Sequence, residues 1–397
     1  MKKIIFIIFF LPLITSIAFA REKESLVRDT LSTPFSLGRT NIECYFRGNF
    51  FSDNPSLTHS SAHFQFEDTW LNLQGDYNKA LSYQVRFRLN RPLTITDLDN
   101  TAVGLDYAYL LYRLGKNRQW EVTIGKQCEA IGSYELTIHP LYEYIYGDYL
   151  NYVVNPFVAG AKVEYTFNNT QKIGFQLHNT LNESFHSFLE KRGFISPSLL
   201  PSKLPIGGLI YWKGEFGDHQ FKTHYSYDLS QFAQGKYTHT FSLGNWLEVG
   251  KHLAYLDLYY AYMEADYGLL SSKILSQYEG RTPGNYEVYE NTVYKGLISR
   301  YEYQITPLWS ASAKGGIEFL GSRNSLNEHF RTHYIYALAL QYAPFGNTDF
   351  RVHLAYIGKT VSYIEELKLP EEQLHRFSLG ASYTLPVIKR EKVKSKR

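Results

Sequence analysis

The charged residues that could carry chemistry in this sequence stand at every second position of apolar stretches. Residues 81–90 place the basic Arg86 and Arg88 on one face of an extended strand, and Val85 and Phe87 fall on the other. An arginine turned toward lipid near the middle of a bilayer would cost about 2–4 kcal/mol. The charged face is therefore expected to border water, where its guanidinium groups would attract anions.

Patterns typical of enzymes and metal sites are missing from the sequence. It has no HExxH, CxxC or GxSxG arrangement, and its 13 histidines are scattered. We therefore expect no enzyme activity, no catalytic residue, no metal site and no cofactor. A formal net charge of +3 gives no reason to expect a nucleic-acid partner.

The same period of two recurs along the chain and predicts an all-β fold. The 34 Tyr and 26 Phe, against 2 Met, also favour strands and suit aromatic girdles at membrane interfaces. The predicted strands are 42–50, 63–74, 81–90, 104–113, 119–127, 158–167, 171–180, 207–217, 219–229, 236–249, 252–265, 291–304, 307–319, 332–343, 348–358 and 372–385.

The connections between these sixteen predicted strands alternate in length. Short links such as 168–170 and 250–251 alternate with long ones at 128–157, 181–206, 266–290 and 359–371. Bacterial outer-membrane barrels have short periplasmic turns and long extracellular loops. We therefore predict a transmembrane antiparallel up-and-down β-barrel of about 16 strands over residues 40–385.

The two ends of the chain have sequence features other than those of barrel strands. Lys2 and Lys3 precede an apolar run, and a small-residue site ends at Ala20, so residues 1–20 are predicted to be a cleaved signal peptide. The alternative is an uncleaved membrane anchor. Residues 21–39 are predicted to be a flexible segment, and 386–397 a basic periplasmic tail.

A barrel of sixteen strands is wide enough to hold a water channel. Its interior charges slightly favour the basic residues, which predicts a weak anion preference; alternatively, many of them pair across neighbouring strands. The predicted interior basic residues are Arg86, Arg88, Lys126, Lys162, Lys172, Lys213, Lys222, Arg300, Lys314, Arg351 and Arg376. The predicted interior acids are Glu121, Glu164, Glu215, Asp228, Asp257, Glu302, Glu318 and Asp349.

The long connection 128–157 is too aromatic for a disordered loop. It holds Tyr134, Glu135, Tyr142 and Tyr144, and we expect it to fold into the barrel and narrow the pore. The alternative is an aromatic surface loop used for adhesion or oligomer contact. The sequence does not settle whether Cys44 and Cys128 pair.

Residues 64–167 resemble the phosphate-selective porin O/P family. The resemblance lies in Asp106-Tyr107-Ala108-Tyr109, in the strand from Trp120 to Gln127, and in Gly160 before the next strand. It implies a sixteen-stranded trimer with basic residues along an anion path. Lys126 and Gln127 match the family's strand-end position, whereas its phosphate-binding arginines cannot be matched here one by one.

These observations predict an outer-membrane porin that passes small hydrophilic solutes, with phosphate or other anions preferred. Its expected partners are outer-membrane lipid, the solutes and two further copies of itself. A non-transporting barrel used for adhesion or envelope structure shares every strand signal and remains the alternative.

Overall fold

The protein is a closed antiparallel barrel of sixteen strands, in which β1 pairs with β16 and every other strand pairs with its neighbours in sequence. A computed structural model describes residues 40–388 except 325 and 346–349. The strands are β1 (Thr40–Pro55), β2 (Ser61–Asp76), β3 (Leu81–Arg88), β4 (Leu105–Leu114), β5 (Trp120–Cys128), β6 (Phe157–Asn168), β7 (Gln171–Asn179), β8 (Ile206–Phe216), β9 (Phe221–Ala233), β10 (Lys236–Val249), β11 (His252–Ala265), β12 (Glu290–Gln304), β13 (Trp309–Ser322), β14 (Arg331–Tyr342), β15 (Phe350–Tyr363) and β16 (Glu372–Ile388).

The predicted barrel and its strand count are confirmed, with differences at strand ends. β15 runs to Tyr363, so the last connection covers 364–371 rather than 359–371. β16 runs to Ile388 and pairs there with Ile42 of β1, so the first residues of the predicted tail are part of the barrel. The predicted signal peptide and flexible segment, Asp349 and residues 389–397 lie outside the described residues.

The outer surface of the barrel is apolar. Phe175 and Leu177 on β7 are 46% and 41% exposed, and Leu338 and Leu354 on β14 and β15 are 59% and 55% exposed. The polar residues that alternate with them, such as Gln176 and His353, are buried inside. This reversal of the usual soluble pattern suits a surface that faces hydrocarbon.

The four longest connections, 89–104, 129–156, 180–205 and 266–289, all leave the same end of the barrel. Their short elements are α1 (Tyr134–Thr137), α2 (Phe185–Glu190), α3 (Leu270–Tyr278), the 3-10 helix Pro140–Tyr142, the π-helix Tyr149–Val153, and a parallel pair of strands, Phe194–Ile195 and Tyr286–Glu287. A 3-10 helix, Glu365–Leu367, lies in the last connection. No helix in the described part of the chain is long and apolar enough to cross a membrane.

Candidate functional site

The connection 129–156, hereafter the inner loop, folds into the barrel and crosses its interior. Near its start, Ala130 N–H donates to Gln176 Oε1 on β7 (2.8 Å) and Gly132 N–H donates to Ser226 Oγ on β9 (2.8 Å). Its middle reaches β1, where Arg47 Nη1 donates to the carbonyl oxygen of Pro140 (2.7 Å). The loop therefore touches opposite sides of the wall.

Two glycines let the inner loop approach the wall closely. A Cβ at Gly132 would lie 2.3 Å from the carbonyl oxygen of His224, and one at Gly147 would lie 2.5 Å from Ile298 Cδ1. No larger residue fits at Gly132 without moving backbone, because the obstructing atom is itself backbone.

Asp257 of β11 fixes the start of α1. Its carboxylate accepts hydrogen bonds from Ser133 Oγ (2.8 Å), Tyr134 N–H (3.0 Å) and Glu135 N–H (2.8 Å). Asp257, Ser133 and Glu135 are buried. The ring of Tyr134 is less buried, and its centroid lies 5.4 Å from that of Trp246. A carboxylate with three donors holds the loop's first turn in one place.

Lys314 of β13 is a second anchor. Its ammonium group donates to Glu135 Oε1 (2.6 Å) and Glu143 Oε2 (2.5 Å) of the inner loop, and to the carbonyl oxygen of Ile145 (2.6 Å). The lysine side chain is 4% exposed and both glutamates 0%. This buried arrangement is stable only while the ammonium group faces its carboxylates, because a buried charge without a partner of opposite sign is costly.

A third anchor lies where Asp148 meets β13 and β14. Asp148 forms ion pairs with Arg331 and with His333 Nδ1 (3.1 Å), and its N–H donates to Glu318 Oε2 (2.7 Å). Burial alone would raise the pKa of Asp148, but the hydrogen bond of His333 and the charges of Arg331 and His333 outweigh it and hold the pKa below its usual value.

The aromatic residues of the inner loop stack on arginines of the wall. The Tyr142 ring lies 4.8 Å from the Arg351 guanidinium and 5.6 Å from that of Arg300. The Tyr144 ring lies 4.7 Å from Arg47, and the Tyr144 hydroxyl accepts from Gln341 Nε2 (2.6 Å). Cation–π contacts that exclude water, like these, add to the anchoring.

The inner loop covers five basic residues of the barrel wall, and we call this set the covered wall: Arg47, Arg300, Lys314, Arg331 and Arg351. A second set on β3–β9 has no hydrogen bond or ion pair to the inner loop and is called the open wall: Arg88, Arg113, Lys162, Lys172, Lys213 and Lys222. The side chains of Lys172 and Lys213 are 38% and 37% exposed, against 1% for Arg300. The basic residues of these two sets thus occupy two different environments.

Open-wall cations face carboxylates, but only Arg88 and Arg113 pair across adjacent strands, as the alternative from sequence expected. The lysines pair within one strand or with the second strand along. Lys172 Nζ lies 3.1 Å from Glu121, and Lys162 and Lys213 lie 3.5 Å and 3.6 Å from Glu164. Lys222 has no ion pair within the described residues. The net positive charge of this wall is consequently small.

Arg86 and Lys126 belong to neither set. Arg86 lies between the rings of Trp70 (4.4 Å) and Tyr107 (4.2 Å) and pairs with Asp106 (2.9 Å). Lys126 reaches into the connection 89–104 and donates to Asp99 (2.6 Å). Both side chains are thereby held in fixed positions.

Water-sized space remains on both sides of the inner loop. A cavity of about 460 Å³ lies at the loop end of the barrel, lined by both polar and apolar residues, among them Asn155, Arg192 and Phe188. A cavity of about 200 Å³ lies at the other end, lined by Gln84, Arg113 and their neighbours on β1–β4.

The sequence analysis missed Arg47, Arg113 and Arg331, although a signal existed for two of them. Arg47 shares its parity in β1 with Glu43 and Asn49, and Arg331 shares its parity in β14 with His333. Arg47 is 2% exposed and Arg331 5%. Cys44 and Cys128 are not bonded to each other.

Comparison with known proteins identifies solved structures and a protein family that this chain resembles. Similar solved structures are the outer membrane channel DcaP of Acinetobacter baumannii (TM-score 0.59, 12% identity, 87% of this chain and 97% of that chain), the anion-selective porin from Comamonas acidovorans (TM-score 0.56, 8% identity, 87% and 99%) and a trimer form of the outer membrane protein OmpT of Vibrio cholerae (TM-score 0.52, 11% identity, 87% and 99%). At these identities they show a shared fold. The curated proteins contain no match. The model of the family "Phosphate-selective porin O and P" matches residues 45–385, and the chain belongs to that family of outer-membrane porins.

Proposed function

We propose that the protein is a water-filled channel of the bacterial outer membrane that passes small hydrophilic solutes along the open wall, with a weak preference for anions such as phosphate. The observation that carries the proposal is the inner loop, which occupies the covered wall while the lysines of the open wall stay partly exposed. Polar groups next to water are what a diffusion channel requires.

The predicted pore residues have different roles in this proposal. Arg88, Lys162, Lys172 and Lys222 line the solute path, while Arg86 and Lys126 sit at its border. Arg300 and Arg351 hold the inner loop. Tyr134, Glu135, Tyr142 and Tyr144 belong to the constriction because they lie on the segment that narrows the lumen.

The preference for anions is expected to be weak because carboxylates balance most open-wall cations. The similar porin from Comamonas acidovorans is described as anion-selective, which supports the sign of the preference. Lys222, without an ion pair among the described residues, supports it as well.

Two further properties belong to the proposal. The chain is exported with cleavage of residues 1–20, and it assembles as a homotrimer, as the similar OmpT structure does in one form. N-terminal sequencing of the mature protein should begin near Arg21, and light scattering in detergent should give three chains per particle.

Planar bilayer recording tests the function directly. We expect discrete conductance steps, a reversal potential of the anion-preferring sign in a KCl gradient, and reduction of the current by phosphate more than by sulfate. Absence of any step would instead favour a barrel used for adhesion or envelope structure.

A further inference from the structure

A buried cluster at the root of the inner loop brings together Glu129, His178 of β7 and Asp228 of β9. One ligating atom from each residue lies within 4.8 Å of the other two, and the residues are 8%, 3% and 5% exposed. Their positions are far apart in sequence, which explains why no metal-binding spacing was visible there.

His178 is oriented as a metal ligand would be. Its Nδ1 lies 3.1 Å from the carbonyl oxygen of Asn179, so this nitrogen carries a proton and donates it. Its Nε2 then faces Asp228 Oδ1 at 3.0 Å. A backbone carbonyl that fixes the tautomer in this way is the usual outer partner of a ligating histidine.

Asp228 is held in place from its other side. Ser230 Oγ donates to Asp228 Oδ2, which leaves Oδ1 turned toward His178. The backbone at Gly207 packs closely against the imidazole ring, since a Cβ there would lie 2.5 Å from His178 Cε1. Two of the three groups are therefore preorganised.

With both carboxylates ionised, the charge of the cluster is not balanced. Two carboxylates face at most one positive charge, that of His178, and no lysine or arginine in the described part of the chain forms an ion pair with Glu129 or Asp228. Buried charges without partners are costly, so Glu129 in this position either holds a proton or faces a bound cation.

A second cluster of the same composition shows the contrast. Asp148, Glu318 and His333 also gather within 4.8 Å, but Arg331 pairs with Asp148 and balances the charge. The carboxylate of Glu318 already accepts hydrogen bonds from donors that include Tyr149 N–H (3.0 Å) and Tyr259 Oη (2.8 Å). This second cluster needs no ion.

We propose that Glu129, His178 and Asp228 bind one divalent transition-metal ion of the zinc type. Imidazole nitrogen with carboxylate oxygen suits Zn²⁺ better than Ca²⁺ or Mg²⁺, which prefer oxygen alone. Ligand atoms about 2.1 Å from a tetrahedral ion lie about 3.4 Å apart, close to the separation of His178 and Asp228. A fourth position is left for water.

Such an ion would fasten the inner loop at its root. Glu129 N–H donates to the carbonyl oxygen of Pro156 (3.2 Å), so the first and last residues of the loop meet beside the cluster. The ion would join this point to β7 and β9. The proposal concerns binding and does not depend on what the channel conducts.

Calorimetric titration of the full chain in detergent, stripped of metal and given Zn²⁺ alone, tests the site. We expect one tight site per chain, weakened at least about tenfold in Glu129→Gln, Asp228→Asn and His178→Gln. The matched control His333→Gln, from the balanced cluster, should keep it. Weaker sites at exposed histidines should be the same in all variants.

Thermal unfolding gives a second readout, because an ion that binds only the folded state raises the unfolding temperature. Zn²⁺ should stabilise the wild type and His333→Gln but none of the three ligand variants. Glu129 lies in a connection rather than in a strand, so Glu129→Gln tests the site even where a strand variant folds poorly. A wild type without a tight site, or a tight site that survives in Glu129→Gln and Asp228→Asn, would overturn the proposal.

Discussion

Lys314 and Lys172 are the same residue type on the inside of the same barrel, yet they occupy opposite environments. The Lys314 side chain is 4% exposed and contacts two buried glutamates of the inner loop, whereas Lys172 is 38% exposed and faces one glutamate of its own wall. Buried pairs fix structure, and exposed pairs leave charge available to solutes. Position relative to the inner loop, more than residue type, sets the role of an interior cation.

The largest expected effect is that of Lys314→Met. It leaves Glu135 buried without its cation and leaves Glu143 with only one cation, Arg300 at 3.9 Å, among the described residues. The free energy of unfolding, measured by urea titration in detergent, should fall by about 3–5 kcal/mol. The control Lys172→Met should cost no more than about 1 kcal/mol. Equal losses in the two variants would contradict the distinction between the walls.

Acid should loosen the covered wall through His139, whose ring packs 5.1 Å from that of Tyr45. Burial, followed by the charges of Arg86, Arg351 and Arg47, lowers the pKa of His139 to about 4. The unfolded chain takes up this proton below about pH 6.5 and the folded chain only near pH 4, so stability falls as the pH drops through that window.

The size of this acid effect is on the order of 2–3 kcal/mol between about pH 6.5 and 4. His139→Asn isolates it, because asparagine keeps the side-chain acceptor that now receives Leu141 N–H but does not titrate. Unfolding curves at several pH values should diverge between wild type and variant below about pH 6.5. Parallel curves would mean that His139 does not cause the loss of stability in acid.

Gly132→Val should displace the start of the inner loop, because its Cβ would meet the carbonyl oxygen of His224. We expect a loss of about 1–3 kcal/mol in stability and a larger single-channel conductance as the lumen widens. Gly315→Ala is the control, since a Cβ there meets nothing within 4 Å. Unchanged conductance with a destabilised barrel would separate the loop from the constriction.

The smallest expected effect is on ion preference. Replacing Lys172 by Gln, which removes one unit charge, should shift the chloride-to-potassium permeability ratio toward potassium by up to about fivefold, since a unit charge about 4 Å away is worth about 1 kcal/mol in water. Lys116→Glu, on an exposed turn, should leave the reversal potential unchanged. A shift of the same size in both variants would mean that the open wall does not set selectivity.

Strand alternation made the barrel predictable because it is local. Arg86, Val85 and their neighbours carry the period of two within one strand, and a lipid-facing charge is excluded by energy alone. The entry of the inner loop into the lumen was also predictable, since so many aromatic residues need a surface to pack against.

The partners of the interior charges were not predictable in the same way. Glu135 and Lys314 are 179 positions apart, and nothing in either strand pattern indicates that they meet. The division into covered and open walls depends on the course of the inner loop, which anchors such as Asp257 fix only in the folded state. Local periodicity names the inward face of each strand but not what covers it.

Cysteine labelling during bilayer recording tests the central claim most directly, in a background of Cys44→Ser and Cys128→Ser. Lys172→Cys places a thiol on the open wall, and Ser242→Cys places one beneath Tyr149 of the inner loop. A charged, water-soluble thiol reagent should reduce the current through Lys172→Cys and leave Ser242→Cys unaffected. Block of the Ser242→Cys channel with none of the Lys172→Cys channel would contradict the solute path proposed for this barrel.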